Sequence, residues 1–145
     1  MERESDMELW ELMAREGVRD TVARYNANGD TGRFEQMMDL FAEDAVMEAQ
    51  GVTYRGREQI RTIFTGAKGK FAEIPGFTYL RHSTTTHQID VISPTQAKSR
   101  CYFSVIMDHG LDHWGRYVDE FKLVDGRWLF SFRRVTVDPK STGAK

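Results

Sequence analysis

The chain has 145 residues, of which 40% are apolar and 29% charged, with a formal net charge of −2. That length buries a core without disulfide or metal support, and the composition excludes a disordered chain. No Lys/Arg run stands out against this near-neutral balance, which argues against a nucleic-acid partner. Cys101 is the only cysteine; it sits in an apolar, strand-like run and reads as a reduced core residue. No stretch approaches the ~20 apolar residues of a membrane span. The charged start Met1-Glu2-Arg3-Glu4 lacks the profile of a signal peptide, so no membrane association and a cytoplasmic location are expected.

Helix signals fill the first half. Ser5-Asp6-Met7-Glu8 fits a capping box, after which Leu9, Leu12, Met13, Val18, Val22 and Tyr25 recur at helical spacing, with Gly29 as the expected stop. A second helix is predicted over 33–42, burying Phe34, Met37, Met38 and Phe41. Residues 44–54 read as two short strands around Gln50-Gly51, and a third helix follows Gly56 with Ile60, Ile63 and Phe64 inward. The period then changes to two. Long strands are predicted at roughly 78–92, 96–107, 113–124 and 128–137, and Asp125-Gly126 is a strong hairpin turn. Helices first and an antiparallel meander afterwards predict one α+β domain over residues 1–139, with three helices on one face of a bent sheet. Residues 140–145 are expected to form a disordered tail.

The chemistry concentrates at two places. Asp30 follows the end of the first helix, and His82 lies on a central strand within Arg81-His82-Ser83-Thr84-Thr85-Thr86-His87. A carboxylate that fixes an imidazole in one tautomer makes a general base. Asp30 also suits an N-cap for the second helix, and the two roles are compatible because a carboxylate has two oxygens. Tyr25, on the apolar stripe, reads equally as a hydrogen-bond donor to a substrate oxygen or as core. His87, His109 and His113, near Asp108 and Asp112, invite a metal reading. No pair has structural-zinc spacing, so no metal site is assigned, and 108–113 reads as a hairpin whose polar residues face water. Asp119 shares a strand face with Tyr117, Phe121 and Leu123. It should therefore be buried and paired with Arg133 or Arg134 on the last strand.

The segments Tyr25-Asn26-Ala27-Asn28-Gly29-Asp30, Leu40-Phe41-Ala42-Glu43-Asp44-Ala45, Tyr54-Arg55-Gly56-Arg57-Glu58, Arg81-His82, Gly115-Arg116-Tyr117-Val118-Asp119 and Asp125-Gly126-Arg127-Trp128 carry a resemblance. In this order they resemble the nuclear-transport-factor-2-like superfamily, and within it the SnoaL-like group of polyketide cyclases and dehydratases. The resemblance implies a cone-shaped, cystatin-like α+β fold, a hydrophobic pocket, a homo-oligomer (dimer or trimer) and no cofactor. Scytalone dehydratase, bile-acid 7α-dehydratase and hexachlorocyclohexane dehydrochlorinase eliminate a leaving group using a histidine steered by an aspartate. Their histidine falls on His82, seven residues before Ile89. The aspartate of the latter two falls on Asp30, and a tyrosine of the bile-acid enzyme falls on Tyr25. Two departures bear on the reaction. The dehydratases carry a further acid or histidine on the next strand, where this chain reads Phe103-Ser104-Val105. Steroid isomerases place their base just after the Glu48 equivalent, where Ala49 stands.

The function expected from these residues is that of a small lyase, isomerase or cyclase, with elimination favoured, acting on a hydrophobic cyclic metabolite. His82, Asp30 and Tyr25 would carry the chemistry. The remaining large apolar residues (among them Trp10, Phe41, Met47, Phe64, Phe77, Tyr102, Trp114 and Trp128) are expected mainly in the core, with Tyr54, Phe103 and Tyr117 lining the pocket. The rival expectation is a non-catalytic small-molecule-binding module or assembly subunit of the same fold.

Overall fold

A helix of 22 residues, α1 (Leu9–Asp30), opens the fold, followed by α2 (Phe34–Met38), the hairpin β1 (Phe41–Ala49) and β2 (Val52–Arg55), and α3 (Gly56–Ala72). Four long strands complete it: β3 (Leu80–Ser93), β4 (Gln96–Met107), β5 (Gly110–Val124) and β6 (Arg127–Val137). The computed structural model describes residues 6–139. The expected tail at 140–145 and the hydroxyl of Ser5 in the expected cap lie outside those residues. The capping box seen at the start of α1 joins Glu8 and Glu11 instead, with the Glu8 backbone N–H donating to Glu11 Oε1 at 3.5 Å.

The six strands form one curved open sheet in the order β2-β1-β6-β5-β4-β3. All neighbours are antiparallel except β1 and β6. Helices α1 and α3 cover one face, α1 over β3 and β6 and α3 over β1. The inward stripe of α1 is Ala14, Val18, Thr21, Val22, Tyr25 and Asn26, which meets Phe41, Phe121, Phe130 and Ile60 in the core. Among the described residues no helix is long and apolar enough to cross a membrane.

Several expectations are corrected here. Phe41 and Ala42 belong to β1, not to the second helix. Phe41 fits the helical spacing, but Phe130 N–H donates to Leu40 O at 2.9 Å and draws the segment into the sheet. The α2 helix therefore ends at Asp39. Leu9, Leu12 and Met13 are exposed, as are Trp10, Tyr102 and Trp114. Trp10 and Met13 line an open hollow between α1 and the Leu123 and Trp128 ends of β5 and β6, while Tyr102 and Trp114 lie on the sheet's uncovered face, opposite the inward Cys101, Phe103 and Tyr117. Cys101 is buried as expected, and burial pushes its thiol up to about 11. The Asp125-Gly126 hairpin forms with both residues at positive φ, 49° and 78°.

Asp119 is fully buried and its partner is Arg133, directly opposite on β6. Arg133 Nε and Nη2 donate to the two carboxylate oxygens at 2.7 and 2.9 Å. The guanidinium also lies 3.8 Å from the Tyr117 ring centroid, 4.1 Å from that of Tyr25 and 4.4 Å from that of Phe130. Burial opposes the charge on Arg133, but Asp119 outweighs it and holds the guanidinium above its ordinary range. A bidentate, aromatic-walled pair of this kind offsets part of the desolvation of both charges; for Asp119 burial still outweighs Arg133 and holds the carboxyl above its ordinary range.

Replacing Arg133 alone with Met leaves the Asp119 carboxylate buried and unpaired, and about 3–5 kcal/mol should be lost in urea unfolding. Adding Asp119→Leu to that variant should restore part of the loss; a strictly additive double-mutant cycle contradicts the pairing.

His87 gives a second test. Burial, with Arg19, Arg133 and Arg15 adding to it, lowers its pKa from 6.5 to about 4, so the fold holds it neutral. The unfolded chain binds this proton between those values and the fold does not. Stability from this group is full above about pH 6.5 and is lost as pH falls towards 4. Urea midpoints across that window should fall less steeply for His87→Gln; equal slopes contradict the assignment.

Candidate active site

Tyr25, Asn26, Gly29 and Asp30 occupy one face of the last turns of α1. The helix runs past Gly29, the expected stop, because Gly32 takes the left-handed position at φ 75°. Arg33 N–H then donates to Asn28 O at 2.8 Å and Gly32 N–H to Gly29 O at 3.2 Å, closing a Schellman turn. Gly29 instead leaves room for the tip of Met37 on α2: a Cβ there would stand 2.8 Å from Met37 Cε, the end of a flexible side chain that would have to shift aside.

This extra turn delivers Asp30 to β3. His82 backbone N–H donates to Asp30 Oδ2 at 2.9 Å, and His82 Nδ1 lies 2.6 Å from Asp30 Oδ1. An ionised carboxylate can only accept, so Nδ1 carries the proton and Nε2 is left as the basic atom. The expected N-cap role of Asp30 is not seen. The N-cap of α2 is Arg33, and both Asp30 oxygens are occupied by His82. The side chains are 22% and 15% exposed, so the pair is shielded without being sealed.

The pair opens on a cavity of about 610 Å3. Its polar end holds Asn26, Asp30, His82 and His113, and its other end is built from Phe34, Phe64, Phe71 and Phe77. Tyr25 also lines it. The Tyr25 ring is locked edge-on against Phe41, Phe64, Tyr117 and Phe130, with centroids 5.7 to 6.1 Å apart. Burial pushes its phenol up against the opposing pull of Arg133, so it stays a donor.

None of Tyr54, Phe103 and Tyr117 lines this cavity. Tyr54 sits on β2, at the sheet edge opposite the one that carries His82. Phe103 and Tyr117 lie one layer behind the wall. Phe103 stacks on Tyr117 at 4.5 Å and on His82 at 6.1 Å, and Tyr117 hydroxyl donates to Asn26 Oδ1 at 3.2 Å. They fix the imidazole and the amide from behind rather than offering surface to a ligand.

Polar lining residues that the sequence reading did not place at the pocket include Asn26, Lys68 and His113. Asn26 is the polar member of the inward stripe of α1, four residues before Asp30. His113 shares the alternation of Tyr117 and Asp119, and that parity was the signal which its place beside a hairpin obscured. Among the described residues no group of three or more His, Cys, Asp or Glu is placed to hold a metal.

No curated protein matches the chain. Solved structures overlay on nearly all of it. One is a candidate scytalone dehydratase from Novosphingobium aromaticivorans, with TM-score 0.77 and 24% identity over 91% of this chain and 89% of that one. Another is a hexachlorocyclohexane dehydrochlorinase from Novosphingobium barchaimii, with TM-score 0.75 and 17% identity over 91% of each chain. A third is a protein of unknown function with a cystatin-like fold from Nostoc punctiforme, with TM-score 0.76 and 20% identity over 86% of this chain and 91% of that one. These likenesses establish the cystatin-like α+β fold. The SnoaL-like domain profile matches residues 10–134, and with that match the chain belongs to the SnoaL-like family of the nuclear-transport-factor-2-like superfamily.

Proposed function

We propose that the chain is a small lyase in which His82 is the general base and Asp30 its orienting partner, acting on a hydrophobic cyclic metabolite. The observation that carries this reading is the double hold of Asp30 on His82, through backbone N–H and Nδ1, at the polar end of an aromatic-walled cavity. The two bonds fix the tautomer and ring orientation together, leaving Nε2 to take a proton and the carboxylate to stabilise the imidazolium that results.

A C–H proton comes within reach of an imidazole when the charge left behind is delocalised, most simply onto a carbonyl oxygen, or departs with a leaving group. The cavity supplies donors for that oxygen. Tyr25 keeps its phenolic proton, and the Asn26 amide is oriented because Tyr117 occupies its carbonyl oxygen. The aromatic end accommodates a ring. Proton removal beside a carbonyl begins elimination, isomerisation or ring closure; the dehydratase and dehydrochlorinase among the structural relatives favour elimination.

Nitrobenzisoxazole tests the base directly, since its ring opens when one C–H proton is removed. The protein should open it faster than buffer, and His82→Ala should lower that rate by about 10²–10⁴-fold. Asp30→Asn should produce a large part of the same loss. A non-catalytic binding module would instead bind the probe with no rate that depends on His82, and that outcome would replace the enzyme reading.

A further inference from the structure

We infer that Lys68 selects cyclic ligands carrying a carboxylate, and that its charge sets which way round the ring enters the cavity. This rests on the proposed occupation of the cavity by a hydrophobic cyclic metabolite, but not on His82 acting as a base.

The position of Lys68 follows from helical spacing. On α3 the inward face carries Ile60 and Phe64, which are buried, and continues to Phe71. Lys68 comes one turn after Phe64 and one turn before Phe71, on that same face, and lines the cavity with both. Phe64 stacks on Phe34 at 6.1 Å and Phe71 on Phe77 at 5.5 Å. Along the helix the lysine therefore falls between the two aromatic pairs of the apolar end. It is exposed as well as lining, which places it at the mouth, where an ammonium stays hydrated until a ligand arrives.

The fold makes no use of this charge. Among the described residues Lys68 forms no ion pair and no hydrogen bond. The carboxylate that lines the cavity, Asp30, is held by His82 through both oxygens. Asp108 borders the cavity through Thr78, and it accepts from the Thr78 N–H at 2.8 Å and from the Thr78 hydroxyl. Nor does the end of α3 need Lys68, because Lys70 already places a cation in the last turn. A lysine on an otherwise apolar row is thus left for a partner from outside.

The chemistry of the site narrows that partner. Among the described residues Lys68 is the one lysine lining the cavity, and no arginine joins it. One ammonium, a point charge without a planar fork, matches the single charge of a carboxylate better than the nearly doubled charge of a phosphate. At the polar end the ionised Asp30 disfavours an anion. The carboxylate therefore goes to Lys68, and the opposite edge of the ring turns towards His82. A neutral ring has no such preference for one orientation.

Titration calorimetry with 2-naphthoate, 2-acetylnaphthalene and 2-naphthyl phosphate tests this without any turnover. At low salt the unaltered protein should bind the naphthoate about fivefold tighter than the ketone. Added salt should shrink that difference. Lys68→Met should abolish the preference and leave the affinity for the ketone unchanged, whereas Lys68→Arg should keep most of it. A lysine that only supports the helix would shift both probes alike. That result, or a preference that survives Lys68→Met, overturns the role of Lys68 and leaves the cavity as a ring site. Tighter binding of the phosphate than of the naphthoate overturns the choice of a carboxylate. Binding of none of the three overturns the inference together with the proposed occupant.

Discussion

The buried Asp119–Arg133 pair is the constraint on which the inner face of the sheet depends. Two charges without exposure must satisfy each other, and the bidentate contact leaves the guanidinium plane free to stack. Tyr25, Tyr117 and Phe130 take up those positions. From Tyr117 the packing continues to Phe103 by close parallel stacking, and from Phe103 to His82 and His113. Tyr117 also holds the Asn26 amide. A charge pair far from water thus fixes the rings that back His82, His113 and Asn26.

Irregular backbone does the rest of the positioning. Thr86 stands at φ 52° in a bulge of β3, between the paired residues Thr85 and Gln88. In an unbroken strand His82 and His87 would face opposite sides; the bulge turns both towards the helices. Asp112 is the extra residue of the β5 bulge, and Asp30 occupies the turn of helix that Gly32 terminates. Asp30 and His113 thus sit beside a defect in a regular element, where a side chain can be aimed away from the ordinary alternation. Rigid strands on either side hold that aim.

Regular features were legible in the chain and irregular ones were not. Alternation alone placed Asp119 inside and demanded a cation from the last strand, and Arg133 supplies it. The Asp125-Gly126 turn and the strands around it follow from local chemistry. The Asp30–His82 contact was expected chiefly from the resemblance, which puts a histidine and its steering aspartate at these positions, and the geometry brings those two side chains together. Phe41 was misplaced because a helical spacing and a strand pairing compete there, and only the partner strand at Phe130 decides between them. The cap expected of Asp30 failed for a similar reason, since helix length depends on Gly32 rather than Gly29. Tyr54 was lost to strand order, which no local pattern reveals. His113 was obscured by its place beside the hairpin, and its contact with Asp112 by a bulge, which joins two neighbouring side chains that alternation would separate.

That bulge also changes the reading of β4. Phe103-Ser104-Val105 carries no ionisable side chain, and from the sequence this weighed against expelling a poor leaving group. The neighbouring strand brings His113 to the same cavity, with Phe103 packed behind both imidazoles.

Whether the cavity removes a proton from carbon is tested most directly by exchange, which needs no leaving group. α-Tetralone in D2O, followed by proton NMR, reports loss of the hydrogens next to its carbonyl. The protein should accelerate that loss well above buffer, and His82→Gln should return it to the buffer rate. No acceleration by the unaltered protein, or acceleration that survives the substitution, would contradict His82 as the base.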